Sequence, residues 1–226
     1  FYEPSTDSIN LILNNEEKIF KEFEFFKFQE DASRLETSVA VSRFADKTHT
    51  LSVEIHSRAG IPIADARIFV EHNDHKKTYF SNSDGEVEIF LPWGSSIKIN
   101  ASKNYEKSNN EINSYDALAA LNIAADLLDP SQDEEFFTII SADFNQDGRV
   151  SSQDAFSIQK HALGLNTYSF PEWIFMDTNH DYSNIDRKNV IYDSEISIGE
   201  LTEDTTISLT GILLGDVSDT FTQLIA

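Results

Sequence analysis

The stretch DFNQDGRVSSQD (143–154) sets oxygen-bearing side chains at alternate positions. Asp143, Asn145 and Asp147 stand at positions 1, 3 and 5 of a twelve-residue run, followed by Gly148, Arg149, Val150, Ser151 and, at position 12, Asp154. Calcium takes about six to eight oxygen ligands, and an EF-hand loop supplies them from positions 1, 3, 5, 7, 9 and 12. Position 6 is a glycine because the chain turns sharply there. In this register Arg149 offers its backbone carbonyl, Ser151 acts through water and Val150 is an apolar anchor. Position 12 is Asp where Glu is usual, which shortens the reach of the ligand and leaves its chemistry intact. The competing reading is a polar loop stitched by Asx turns. Agreement at six positions, with an amphipathic helix following, argues against it.

Other residues with chemistry-bearing side chains form weaker patterns. Asp177, Asn179 and Asp181 open like a second calcium loop, but Tyr182 falls at position 6 and Lys188 at position 12. An irregular calcium site drawing on Asp186 and a hydrated polar loop both fit. His72 and His75 lie in a turn-like EHNDHKK, suited to a weak transition-metal contact or to solvent. His161 is expected on a partner-facing or solvent-facing side of its helix. The six histidines show no HExxH spacing, and no GxSxG, GxGxxG or GxxxxGK[ST] occurs. Carboxylates are so numerous that an acid–nucleophile pair can always be nominated, so their number carries no catalytic meaning. The expectation is a protein that is not an enzyme.

The elements that position the loop come next. Helical spacing is expected over 115–128, with Leu118, Leu121, Ala125 and Leu128 as its stripe, and over 152–164, with Ala155, Ile158, Ala162 and Leu165. Gly164 suits a helix C-terminus. The two helices are an internal repeat: Ser114, Asp116 and Ala117 align with Ser152, Asp154 and Ala155, 38 residues on. Asp-Ala at both helix starts, beside one complete calcium loop, resembles a dockerin, a module with a duplicated calcium loop-helix segment. The resemblance covers residues 109–165. It implies docking to a cohesin-like protein through the pairs before each shared Asp, here Ser114-Tyr115 and Ser152-Gln153. The pairs differ, which argues against a symmetric dual binding mode.

The first repeat departs from that pattern. Positions 1, 3 and 5 before Asp116 are Tyr105, Lys107 and Asn109, a poor ligand set. One reading is a copy held by packing alone. The other looks to LLGDVSDT (213–220), which is similar to the opening of a dockerin loop. Asp216, Ser218 and Thr220 then stand at positions 1, 3 and 5, and the loop is split, completed in space by Glu111 to Asp116. A solvated turn around Asp216 and Asp219 is the alternative.

Upstream, THTLSVEIHS, the stretch 61–72, KKTYF, EVEIFLP and SIKINAS read as strands with turn signals every 8 to 12 residues or so, the rhythm of a β-sandwich. Gly60, Pro62, Ile63, Ala64, Ala66, Ile68 and Val70, then Ser83 to Val87, Leu91-Pro92 and Gly94, resemble the small prealbumin-like or Ig-like modules of bacterial surface proteins. Residues 1–48 read mostly as strand, an amphipathic helix over EEKIFKEFEFFKFQE being the rival. Beyond 165, EWIFMD, NVIYD, EISI and TTISLTGILLGD read as short β runs. The fold class expected is therefore mixed: an all-β sandwich over 49–104, preceded or completed by 1–48, and over 105–226 a dockerin-like helical pair with a β-hairpin insertion.

Charge and composition bound the partners. Net charge is −22, from 17 Lys+Arg and 39 Asp+Glu, which repels nucleic acid and anionic lipid and attracts divalent cations. There is no cysteine, so disulfides, thiolate catalysis and zinc ribbons are excluded. No apolar run is long enough for a membrane helix. The chain begins at Phe1 and is read as a piece of a longer precursor. The function expected is an extracellular, calcium-binding attachment module at a bacterial surface, with Ca²⁺ its cofactor and a cohesin-like, cell-surface or matrix component its partner. A structural end segment of a large adhesin or surface-layer protein is the alternative. So is a carbohydrate-binding module using Trp93, Trp173 or Tyr168.

Overall fold

The computed structural model describes residues 9–13, 16–20, 42–43, 48–73, 75–105, 111–127, 135–165 and 172–221. The chain divides into two compact units, Phe1–Thr48 and His49–Ala226. The first unit contains a three-stranded sheet. β1 (Ile9–Leu13) pairs antiparallel with β2 (Glu16–Phe20) on one side and β3 (Ser42–Arg43) on the other. EEKIF is thus strand, not helix; the rest of the rival helix lies outside the described residues.

The second unit is built on two four-stranded sheets. β4 (Thr48–Ser57), β5 (Arg67–His72), β6 (His75–Phe80), β7 (Glu86–Pro92) and β8 (Ile97–Ser102) fall where turn chemistry and alternation place them. β9 (Trp173–Asp177), β10 (Ile196–Ile198) and β11 (Thr205–Leu213) come from the far end of the chain. The strand orders are β10-β8-β5-β6 and β7-β4-β11-β9. Residues 49–104 and 105–226, expected as separate modules, therefore share both sheets. β11 lies between β4 and β9, parallel to the former from Thr205↔Leu51 to Gly211↔Ser57 and antiparallel to the latter.

Alternation explains which faces are buried. Leu51, Val53 and Ile55 of β4, Ile68 and Val70 of β5, and Ile97 and Ile99 of β8 turn into one apolar cluster with Ile89, Leu91 and Ile207. Successive side chains of a strand point to opposite faces, so every second residue enters the core. In β11 the pattern changes midway: Leu209 to Leu213 are all buried, as expected of a strand covered on both faces. NVIYD forms no strand; its first residue, Asn189, makes an isolated bridge with Asp186.

Three helices complete the unit: α1 (Ser114–Ala124), α2 (Glu135–Ala142) and α3 (Ser152–Ala162). α1 and α3 pack against each other. Both ends of the repeat are duplicated. At the C-termini, Asp126 and Gly164 adopt φ of 62° and 69°. Leu127 N–H then bonds Asn122 O and Leu165 N–H bonds Lys160 O, a Schellman closure in both copies. α2 was not read from the sequence. EFFTIISA is short, eight residues, with apolar pairs at Phe136-Phe137 and Ile139-Ile140, so its period cannot separate strand from helix. It covers β11, with Ser141 Oγ donating to Leu213 O at 3.0 Å.

Two expectations about faces need correction. The buried stripe of α1 is Asp116, Ala117, Ala120 and Ile123, whereas Leu118 and Leu121 are 54% and 44% exposed. In α3 the buried residues are Asp154, Ala155, Ile158 and His161, and Leu165 is exposed. His161 is thus an interior residue between the rings of Tyr105 and Phe144, each 6.0 Å away. Close helix packing explains both: small alanines let α1 and α3 approach, and the larger leucines are left outside.

Candidate functional site

The loop 143–154 is held by its own backbone. Asp143 accepts from the Asp147 and Gly148 N–H groups at 3.1 and 3.0 Å. Asp154 accepts from Asn145 N–H at 3.1 Å, and from the N–H and hydroxyl of Ser151 at 2.9 Å each. Ser151 is the N-cap of α3 in a reciprocal capping box with Asp154. Gly148 has φ +87°, in the left-handed region that glycine adopts without cost. On the far side, Val150 N–H bonds Arg187 O at 2.7 Å and Val190 N–H bonds Gly148 O at 2.8 Å. Arg187 also grips Asp126 through two nitrogens, at 2.9 and 2.8 Å, tying the loop to the C-terminus of α1.

The split loop assembles with the same wiring. Asp216 accepts from Thr220 and Phe221 N–H at 2.8 and 2.9 Å. Asp116 accepts from Ser218 N–H and Asn113 N–H, both at 2.8 Å. These are the bonds of positions 5, 6, 3 and 9 in the continuous loop, reproduced across a sequence separation of 102 residues. Position 4 is left-handed in both copies, with φ of 56° at Gln146 and 55° at Asp219. Asn113 caps α1 in a capping box with Asp116, as Ser151 caps α3. Glu111 and Ile112 thus stand opposite Arg149 and Val150. Tyr105 is turned elsewhere, its hydroxyl hydrogen-bonded to Glu111; Lys107 and Asn109 lie outside the described residues.

Electrostatics follow burial. Asp143 and Asp154, and Asp116 and Asp216, are all buried. Burial pushes the Asp143 carboxyl up to about 6, with Asp154 and Asp147 adding to the rise and the two amides opposing it. Burial likewise raises Asp216 to about 6, Asp116 adding to it, while the Thr220 bonds and Arg58 pull the other way. The partners of Asp143 and Asp154 given above are amides and a hydroxyl. The nearest basic contact in that loop is Arg149 Nε, 3.6 Å from Asp147 on an exposed stem.

The donor chemistry of 143–154 fits calcium. Its atoms are all oxygen, in the required order, and each carboxylate oxygen that accepts one N–H retains a further lone pair. Among the described residues, however, no three His, Cys, Asp or Glu side chains converge as a ready metal cage. Half of this loop's donors belong to none of those types: the Asn145 amide, the Arg149 carbonyl and the Ser151 hydroxyl.

The other sequence candidates separate. Asp177, Asn179 and Asp181 lie in successive Asx turns, Asp177 accepting from Asn179 N–H and Asp181 from Ser183 N–H at 2.9 Å each. Asp186 does the same for Lys188 N–H at 2.7 Å. His72 and His75 pair across a hairpin, rings 6.0 Å apart. Ser114, Tyr115, Ser152 and Gln153 are all exposed at the starts of α1 and α3, and Gln159 Nε2 donates to Ser114 Oγ at 3.1 Å. Trp93 is exposed and Trp173 is buried; Tyr168 lies outside the described residues. Arg58 and Arg187, which brace the two loops, carry no sequence signal. They are bases in turns, identified only by what folds against them.

No family model matches the chain, and neither curated proteins nor solved structures give a match.

Proposed function

We propose that this chain is a non-catalytic, extracellular, calcium-dependent attachment module. The loop 143–154 takes one Ca²⁺, and the paired faces of α1 and α3 dock a protein partner. The observation that carries the metal is the buried pair Asp143 and Asp154, each held by its own amides, with one hydroxyl on Asp154. Two carboxylates taken out of water repel each other, and a divalent cation between them removes that repulsion. Asp143, Asn145, Asp147, the Arg149 carbonyl and Asp154 would hold it, Ser151 acting through water. When bound, the ion supplies positive charge that fixes the start of α3.

Docking is supported by what the helices leave outside. Tyr115, Leu118 and Leu121 of α1 and Phe156 of α3 are exposed, with Leu163 and Leu165 just beyond. Leu118 and Phe156 occupy equivalent places in the repeat. An apolar patch rimmed by Ser114, Ser152 and Gln153 suits a protein interface. A cohesin-like or surface-attached partner fits the dockerin resemblance, and a millimolar-calcium exterior fits a loop of this ligand charge.

Calcium titration by calorimetry, with capture of partners from culture supernatant in calcium and in EDTA, tests this. One ion and an EDTA-sensitive partner are expected. No saturable calcium binding removes the reading. Calcium binding without a partner favours the purely structural end segment instead.

A further inference from the structure

We infer that the split loop, Glu111–Asp116 with Asp216–Phe221, keeps its shape without a metal ion, using protons and a buried arginine where the continuous loop has a cation to recruit. The two loops share their backbone bonds, so the difference lies in side chains. Where the continuous loop has Asn145 and Asp147, the split loop has Ser218 and Thr220. Both hydroxyls are spent as donors inside the loop. Ser218 Oγ donates to Asp116 Oδ1 at 2.6 Å. Thr220 Oγ1 lies 2.8 Å from Glu111 O and 3.1 Å from Asp216 Oδ1. Glu111 O is the carbonyl equivalent to that of Arg149. The one hydroxyl proton of position 5 is thus shared between position 7 and position 1, the shorter contact being to position 7; both positions ligate the ion in a calcium loop. The short Ser218–Asp116 bond is charge-assisted and strong.

The independent observation is Arg58. It lies just past β4, and its side chain is only 7% exposed. Its Nη2 donates to Asp216 O at 2.7 Å and sits 3.3 Å from Val217 O, and its Nη1 donates to Thr138 Oγ1 at 2.9 Å. Its Nε lies 3.4 Å from Asp219 Oδ1. A guanidinium stays charged under all ordinary conditions, and this one is fixed against the strand of loop that carries the position-1 acid. The carboxylate of Glu111 is turned to the Tyr105 hydroxyl. Asp216 thus has a hydroxyl proton and a permanent cation beside it and Asp116 a hydroxyl proton, whereas among the described residues Asp143 accepts from amides and Asp154 from amides and one hydroxyl. The duplicated helix starts are unequal: one answers to calcium and one is always formed.

Calorimetry of the intact chain with calcium chloride, on wild type and Asp147→Asn, is paired with melts of Ser218→Ala and Thr220→Val in calcium and in EDTA. Wild type is expected to take no more than one ion, and Asp147→Asn to lose at least tenfold in affinity. The two hydroxyl variants are expected to lower the melting midpoint by equal amounts in both buffers. Two ions in wild type, a full-strength site remaining in Asp147→Asn, or hydroxyl variants that matter only in calcium would each overturn the inference. Absence of any calcium binding would remove the metal from 143–154 and leave the split loop as inferred.

Discussion

At the residue scale, four buried aspartates decide how the helical part is held. Taking a carboxylate out of water costs several kcal/mol unless charge or hydrogen bonds replace the lost solvation. Asp116 and Asp216 each have a hydroxyl beside them, and Asp216 also has Arg58; Asp143 and Asp154 have one hydroxyl between them, that of Ser151. At free calcium 100-fold above the wild-type Kd, the wild-type unit should gain about 2.7 kcal/mol in unfolding free energy, read as a shift in urea midpoint against EDTA, and Asp147→Asn, its Kd at least tenfold higher, should gain no more than about 1.4 kcal/mol. Glycines grade the loops in another way. Gly148→Ala places a Cβ at an ordinary contact of 4.0 Å from Val190 O at φ +87°, so its cost should be the left-handed penalty alone, about 1–2 kcal/mol. Gly215→Ala should cost more, because at φ +92° its Cβ would fall 2.8 Å from the Phe144 ring. Chemical denaturation of the two variants side by side checks the order. The continuous loop was legible in sequence because its ligands are contiguous. Arg58 was not, since only the folded chain brings residue 58 against residue 216.

At the element scale, α1 and α3 show how far periodicity reads and where it stops. Both helices, and their starts at Asp-Ala, follow from spacing and caps. The inward face of α1 does not, because leucine and alanine compete for it and only the neighbour decides. Close approach of α1 to α3 needs small residues at the contact, so Ala117 and Ala120 go in and Leu118 stays out. The two faces can be separated by mutation. Ile158→Ala, fully buried, should lose about 2–5 kcal/mol in thermal or urea unfolding. Phe156→Ala, 59% exposed, should change stability by about 0.5 kcal/mol or less while weakening partner capture. A Phe156→Ala variant that captures partner as well as wild type does would move the docking surface elsewhere.

At the scale of the whole molecule, the sheets were half legible. Every strand over 49–104 has its own alternation and turn signal. That β9, β10 and β11 complete those sheets is a matter of long-range pairing, which local pattern does not contain. The reversal of burial in β11, from alternate to continuous, marks a strand with neighbours on both edges and cover on both faces. Proline there removes a ladder bond and has no edge to face, so Thr210→Pro should abolish the cooperative melt of the His49–Ala226 unit, followed by near-ultraviolet circular dichroism.

The parallel seam between β4 and β11 also sets a timetable. Its partners, such as Glu54 and Ser208, lie 154 positions apart. At a synthesis rate of about 5–20 residues per second, β4 emerges from the ribosome on the order of 10–30 s before β11 exists. For that interval the nascent chain presents Leu51, Val53 and Ile55 beside an unfilled edge, a template for mispairing. Closing so distant a contact is entropically slow, so the open edge of β4 should be the chain's main aggregation hazard until β11 pairs with it.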